Sequence, residues 1–336
     1  MRLLIGTYTD IALAPSTSKG VYLYDLDSTT LQATCLDCVQ VKNPSWVAAS
    51  HGNAFTLSEC GDQSWLHSIA IDGNTLRLTS SKKSPGDDPC HCVALNGMLY
   101  SANYSSGSIT AVKVNDDGTL GETIQNLHFH EHSTTPRQLT AHLHNMAVSP
   151  CGDLMAASNL GGDCIYLMRI NGDGTIATLH TLHTTAGSGP RHLTWNNDGT
   201  RLYLITELTN EVMAFALDGN RLVHMQTLTA EAEKGHGAAH IHIHPSGKWL
   251  YASVRVVNNG IAMFGINGDG TLERKAFYPT GTHPRHFAIT PCGSLLLNAC
   301  RDKNAIELYR INSDGTLAYL AGHDIGLGMP VCITLL

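Results

Sequence analysis

Short β-rich stretches separated by Gly, Asn and Asp run through the whole chain. Residues 191–228 display the pattern clearly. Arg191–Trp195 reads as one strand and Asn196–Gly199 as its turn; Arg201–Thr206 and Glu211–Ala216 read as two more strands. Asp218-Gly219 then turns into a fourth strand near Leu222–Leu228. Apolar, β-branched and aromatic residues bounded by turn formers are the expected mark of strands joined in antiparallel fashion.

The unit recurs. A turn rich in Asp, Gly, Asn or Thr ends in Leu or Ile seven times, at Leu31, Leu76, Leu120, Ile176, Leu222, Leu272 and Leu317. The intervals between these residues are 45, 44, 56, 46, 50 and 45. A period of this size, filled with four short strands, predicts a β-propeller blade. Aligning the repeats puts Val47, Cys92, Met146, Leu193, Ile241, Phe287 and Ile333 in one column of the inner strand. Two residues on lie Ala49, Ala94, Val148, Trp195, Ile243, Ile289 and Leu335. Both columns are apolar, as a face packed between blades requires.

The ends of the chain complete the circle. Pro330–Leu336 matches an inner strand, Arg2–Tyr8 a second strand and Val21–Asp27 a third. The expected fold is therefore all-β: a seven-bladed propeller of four-stranded antiparallel blades, one domain over residues 1–336. Its N- and C-terminal strands share a blade, which removes the open edge of the ring.

Composition narrows the function classes. The chain carries a net charge of −7, only 15% charged residues and no basic run, so nucleic acid is not an expected partner. No apolar stretch approaches the roughly 20 residues that span a bilayer. The apolar start, Met1–Gly6, is short for a signal peptide. These features lead to the expectation of a cytoplasmic protein, a monomer or weak oligomer, without a membrane partner. Ten cysteines are scattered through the repeats, and only Cys35/Cys38 and Cys90/Cys92 lie close in sequence. With no matching second pair, reduced thiols are expected rather than a metal site.

Candidate chemistry collects at one rim. In an antiparallel blade the start of the inner strand and the end of the second lie at the same edge. The first set reads Ser45, Cys90, His144, Arg191, Ala239, Arg285 and Val331. The second reads Tyr8, Glu59, Tyr104, Asn159, Glu207, Arg255 and Arg301, and is polar in all seven blades. Arginines concentrated in an acidic protein predict an anionic ligand, because the planar guanidinium binds carboxylate or phosphate through two bonds at once. Beside them, Glu207 is expected to stay ionised, where it orients Arg191 or takes a proton from water. His144 is the second candidate for proton transfer. Glu59 and Arg301 read as a rim pair.

Histidine, present 19 times, is the competing signal. His240, His242 and His244 alternate along a predicted strand, and His128, His130 and His132 do so in the insertion behind the 56-residue interval. His91, His192, His240 and His286 form a further column. Alternating histidines have metal-ligand spacing, but no carboxylate stands beside the first three. Bonding between blades accounts for the column at least as well, so no metal and no cofactor are expected.

The most specific segments are Gly187-Ser-Gly-Pro-Arg-His192 and Thr206-Glu-Leu-Thr-Asn-Glu-Val212. To these add His144-Asn-Met-Ala-Val-Ser-Pro150, Ala239-His-Ile-His242 with Leu250-Tyr-Ala-Ser-Val-Arg255, and His283-Pro-Arg285. Together they resemble the seven-bladed propeller lactonases, a family that includes a bacterial 6-phosphogluconolactonase and a fungal carboxy-cis,cis-muconate cyclase. The resemblance implies active-site roles for His144, Arg191 and Glu207 and for a later arginine, Arg255 or Arg285; taken with the rim columns, the expected catalytic residues are His144, Arg191, Glu207 and Arg255, and the expected substrate contacts Arg285, His192, Asn159 and Tyr104. It implies hydrolysis of a phosphorylated sugar lactone, a small anionic substrate, without a metal. A carboxymuconate cycloisomerase and a non-catalytic binding scaffold are the alternatives. Thr206, Val254 and Asn159 depart from the family's usual Asn, Asn and Asp.

Overall fold

The computed structural model describes residues 1–11, 14–231 and 235–336. Seven antiparallel sheets, each with four strands in its main path, follow one another round a ring. Blade 1 begins at Val47–Ser50, blade 2 at Pro89–Leu95, blade 3 at Leu143–Val148 and blade 4 at Pro190–Trp195. Blades 5, 6 and 7 begin at Ile241–Ile243, Pro284–Ile289 and Pro330–Leu335. In blade 4 the remaining strands are Arg201–Thr206, Glu211–Asp218 and Arg221–Thr229, within two residues of the sequence reading. Blade 7 joins Pro330–Leu335 to Arg2–Thr7, with Leu3 opposite Leu335 and Ile5 opposite Ile333. Gly20–Leu26 and Ala33–Gln40 complete that blade. Blade 6 adds a short fifth strand, because Ala305–Ile311 pairs with both Leu317–Tyr319 and Ile325–Gly326. No helix among the described residues is long and apolar enough to cross a membrane.

The repeated turn has a physical role. In Asp117-Gly118-Thr119 the Asp117 carboxylate accepts from the Thr119 N–H at 2.9 Å and from its hydroxyl at 2.6 Å. Asp173, Asp269 and Asp314 hold Thr175, Thr271 and Thr316 in the same way. The intervening Gly sits near φ +80°, a conformation open to residues without a Cβ. Its carbonyl then serves the preceding blade. The hydroxyls of Tyr100, Tyr203 and Tyr251 donate to Gly174, Gly270 and Gly315 at 3.0, 2.9 and 2.6 Å. Each turn closes its own hairpin and hooks its neighbour.

The first apolar column is buried throughout, from Val47 to Ile333. The second is not uniform. Trp195, Ile243 and Ile289 are buried, whereas Ala49 is exposed and Ala94, Val148 and Leu335 are half-buried. These residues sit at the far ends of their strands, where the blades offer less cover.

The inner strands are not regular either. Pairing with the second strand skips Cys90, His144, Arg191 and Arg285, which stand between Pro89 and His91, Leu143 and Asn145, Pro190 and His192, and Pro284 and His286. Each is the extra residue of a β-bulge. A bulge breaks strict alternation and re-aims a side chain, so the skipped residue is freed from its sheet at the rim where the candidate chemistry lies.

Ile333 packs with Leu3, Ile5, Leu297 and Ile306 at the closure of the ring. Ile333→Ala should cost about 2–5 kcal/mol in urea unfolding. A loss under about 1 kcal/mol would show that the closing strand lies outside the cooperative unit.

Candidate active site

The chemistry centres on Glu207, which lies just past the second strand of blade 4. Arg191 donates to its Oε2 from Nε at 2.7 Å, and Arg255 from Nη2 at 3.0 Å. Arg137 reaches Oε1 at 3.1 Å. Arg191 and Arg255 are buried, and each spends a further donor on backbone: Arg191 on the Ala239 carbonyl, Arg255 on that of Gly237. Burial alone would raise the Glu207 carboxyl; Arg255 and Arg191 outweigh it and hold the group well below the usual carboxylate range. Burial also disfavours the charge on both arginines, but a guanidinium keeps its proton in proteins. Glu207 is therefore a fixed anion among three cations and a poor proton acceptor.

Arg255 is further oriented from blade 6. Its Nη1 lies 3.0 Å from His283 Nε2, and His283 Nδ1 lies 3.2 Å from Asp302. With the ring proton on Nδ1, His283 donates to the Asp302 carboxylate, and its bare Nε2 accepts from Arg255. Arg301 pairs with Asp302 at 2.6 Å.

Arg285 differs from these. Its Nη2 donates to the Tyr8 hydroxyl at 2.8 Å, and Tyr8 donates to Glu59 at 2.9 Å. Among the described residues no carboxylate pairs with it directly. His144 sits in the field of Arg191, Glu207 and Arg285. Burial, reinforced by Arg191, pushes its pKa well down, so it is a neutral imidazole at ordinary pH. Its Nδ1 lies 3.9 Å from the thiol of Cys90, and its ring stands edge-on to Tyr104 at 5.6 Å. Burial raises the Cys90 thiol far above its ordinary value, so this pair holds no thiolate.

Beneath the charges lies an aromatic layer. Trp46 packs against His91, His286 and His192 with ring centroids 4.2, 5.0 and 5.6 Å apart. His91 Nδ1 accepts the Met146 N–H and His286 Nδ1 the Ile333 N–H, at 3.4 and 3.2 Å. Asn145 and Cys332 do the same for Leu193 and Val47. These bonds tie blade 2 to blade 3, blade 3 to blade 4, blade 6 to blade 7 and blade 7 to blade 1. Because Nδ1 accepts, the proton of His91 and His286 lies on Nε2. His192 and His240 face each other, Nδ1 to Nδ1, at 2.9 Å and share one proton between them. Among the described residues no three His, Cys, Asp or Glu side chains form a metal-holding group. His244 falls outside its predicted strand and bonds Ser246 and the Gly293 carbonyl.

The structure thus joins Arg191, Glu207 and Arg255 directly, with His144, Tyr104 and Arg285 around them. It does not bring Asn159 to the mouth. That side chain is fully buried and accepts from the His142 and Gly162 N–H groups while donating to Tyr166. It anchors the loop before blade 3. His192 lies one layer down, against Trp46, rather than at the rim. Arg301 and Glu59 are not paired with each other; they bond Asp302 and Tyr8. The residue that sequence reasoning missed is Arg137. It stands outside every column, in the insertion between blades 2 and 3. The one signal for it was the 56-residue interval, whose added segment from Phe129 to His142 contains Arg137 as its only Lys or Arg.

A ring of seven four-stranded blades with an arginine-rich channel mouth defines a propeller of the lactonase class. The chain belongs to the family described as "Lactonase, 7-bladed beta-propeller", which it matches over residues 2–335. It is 31% identical to the 6-phosphogluconolactonase of Formosa agariphila, over 92% of both chains. Among solved structures it resembles a Bacteroides uniformis protein provisionally named 6-phosphogluconolactonase, with 37% identity, a TM-score of 0.93 and coverage of 99% and 98% of the two chains. A periplasmic gluconolactonase of Pseudomonas aeruginosa aligns with a TM-score of 0.90 at 26% identity, covering 99% of this chain and 98% of that one.

Glu207→Gln should lower stability by about 3–5 kcal/mol, because it leaves Arg191 and Arg255 buried without their counter-charge. Arg285→Ala should cost much less, and thermal unfolding of both variants checks the order. The neutral histidines make a second prediction. Burial lowers His91 and His286 to about 3 and pushes His192 and His240 well down. In the unfolded chain these groups bind protons below about pH 6.5. Stability is therefore full above that pH and drains as pH falls toward the folded values, by up to about 1.4 kcal/mol per pH unit for each histidine. A melting temperature constant from pH 7 to pH 4 would contradict this.

Proposed function

We propose that the mouth hydrolyses a sugar lactone, with 6-phosphogluconolactone as the substrate and the open-chain acid as product. The observation that carries the reading is the pairing of unlike groups at one rim: a neutral His144 within the field of Arg285, whose guanidinium bonds the Tyr8 hydroxyl and, among the described residues, no carboxylate. Lactone hydrolysis needs both elements. A neutral imidazole takes the proton from water as its oxygen bonds to the ester carbon; burial and Arg191 by themselves weaken His144 as a base, and the negative charge that develops on the substrate beside it favours the imidazolium as the proton moves. The carbonyl oxygen gains negative charge at that moment, and a preorganised cation beside it is worth a few kcal/mol.

The tetrahedral intermediate then collapses. The bond from carbon to ring oxygen breaks, and the imidazolium returns its proton to that oxygen. The products are a carboxylic acid, ionised at neutral pH, and a hydroxyl. Glu207 has a different part. Bound by three arginines, it fixes their positions and takes no proton. The Formosa agariphila and Bacteroides uniformis relatives, by their names, support a phosphorylated sugar lactone as the substrate class.

His144→Ala should lower kcat/KM for 6-phosphogluconolactone by about 10²–10⁴-fold. The wild-type rate should hold on the acid side until the pH falls well below the usual histidine range, since the base is lost only when His144 protonates. An unchanged rate in His144→Ala, or turnover of a carboxymuconate with none of the lactone, would overturn the reading.

A further inference from the structure

The four arginines of the mouth are not equally committed. Arg191 and Arg255 are buried, and their forks are spent on Glu207, backbone carbonyls and His283. Arg137 uses a single nitrogen, Nη2, for both the Tyr104 hydroxyl and Glu207, each at 3.1 Å. Its side chain is 56% exposed. One edge of its guanidinium is thus held in place, while no described residue takes the Nε and Nη1 donors, which can serve a ligand.

The loop beneath it is fixed. Gln138, the next residue, is fully buried and donates to the Leu160 carbonyl and to Asp163, both at 2.8 Å. Its own backbone closes turns with Thr135 and Ser133 at 2.9 Å. The Tyr104 ring that receives Arg137 is stacked on His142 at 4.3 Å, nearly parallel. Arg137 is therefore presented over the mouth by a loop with buried anchors on blade 3. A rigid support lowers the ordering cost of binding.

The charges at the mouth point to what this arginine meets. Arg137, Arg191, Arg255 and Arg285 face Glu207 and Glu59, so four guanidinium groups stand against two carboxylates. The surplus of two positive charges matches a phosphate monoester, which carries about −1.5 to −2 at neutral pH. An unphosphorylated lactone is neutral in its ground state and has no anionic group to meet Arg137.

We propose that Arg137 is the phosphate clamp of this mouth, holding the phosphate monoester of the sugar at the outer rim while the lactone ring lies inward toward His144 and Arg285. The assignment rests on the lactonase reading and makes the loop before blade 3 the element that selects phosphorylated over unphosphorylated lactones. Its exposed position makes Arg137 replaceable without opening the core.

The test compares kcat/KM for 6-phosphogluconolactone and for unphosphorylated gluconolactone in wild type, Arg137→Ala and Arg137→Lys. The ratio of the two should fall on the order of 10- to 100-fold in Arg137→Ala, the range of a charge-assisted contact. The fall should appear as a raised KM for the phosphorylated substrate. Arg137→Lys should recover part of the ratio, because it restores charge without the planar fork. Equal losses on both substrates, or an unchanged ratio, would overturn the proposal and leave Arg137 as a partner of Glu207 only. Calorimetric binding of 6-phosphogluconate against gluconate reads the clamp without turnover. A wild-type chain with no lactonase rate would sink the activity, while binding that loses its preference for the phosphorylated acid in Arg137→Ala would still support the clamp. Equal affinity of wild type for the two acids would defeat it.

Discussion

Arg191 and Arg255 approach the propeller axis from neighbouring blades, and two buried guanidinium groups cannot share that space without an anion between them. Glu207 is that anion. Its Oε2 accepts from both, and its Oε1 takes a third arginine from a loop that belongs to neither blade. Burying a charged pair is costly, and removing one member costs more than the pair contributed. The mouth is thus organised around one carboxylate whose own chemistry is suppressed. That suppression is what turns the arginines into a fixed positive field; in the proposed reaction proton transfer then falls to a residue outside the network, His144.

The two layers of the channel divide the work by charge. At the rim, ions balance ions. One layer down, Trp46 and the histidines are neutral, and their bonds run sideways from blade to blade. Keeping the lower layer uncharged limits like-charge repulsion on the arginines above, and Trp46 narrows the channel beneath the site. In His91 and His286 of this layer a backbone N–H held on Nδ1 sets the tautomer and leaves the ring proton on Nε2, so both rings act as links between blades.

Much of this was legible before any coordinates, for a physical reason. A propeller repeats its backbone, so equivalent residues reach equivalent places, and the columns that hold Arg191, Glu207 and Arg255 could be aligned by counting. Counting fails where the backbone stops repeating. Arg137 lies in an insertion with no counterpart in the other blades and therefore in no column. Asn159 marks a second limit. Its column locates its Cα at the rim, but the nearby His142 and Gly162 N–H groups draw its side chain into the loop instead. Alternation also misled, since the β-bulges at Cys90, His144, Arg191 and Arg285 insert one residue where a regular strand would keep its phase.

Closure of blade 7 has a consequence in time as well as space. Arg2–Thr7 is made before the other six blades, yet its partner on one side, Pro330–Leu335, is made only after more than three hundred intervening residues. Until then the early strand has Gly20–Leu26 on one flank and an unfilled ladder on the other. A vacant ladder invites pairing with any other extended chain. The entropy of joining such distant segments grows only with the logarithm of their separation, so the delay costs little at equilibrium. It falls instead on the nascent chain, which must carry six complete sheets and an incomplete seventh before the ring can shut.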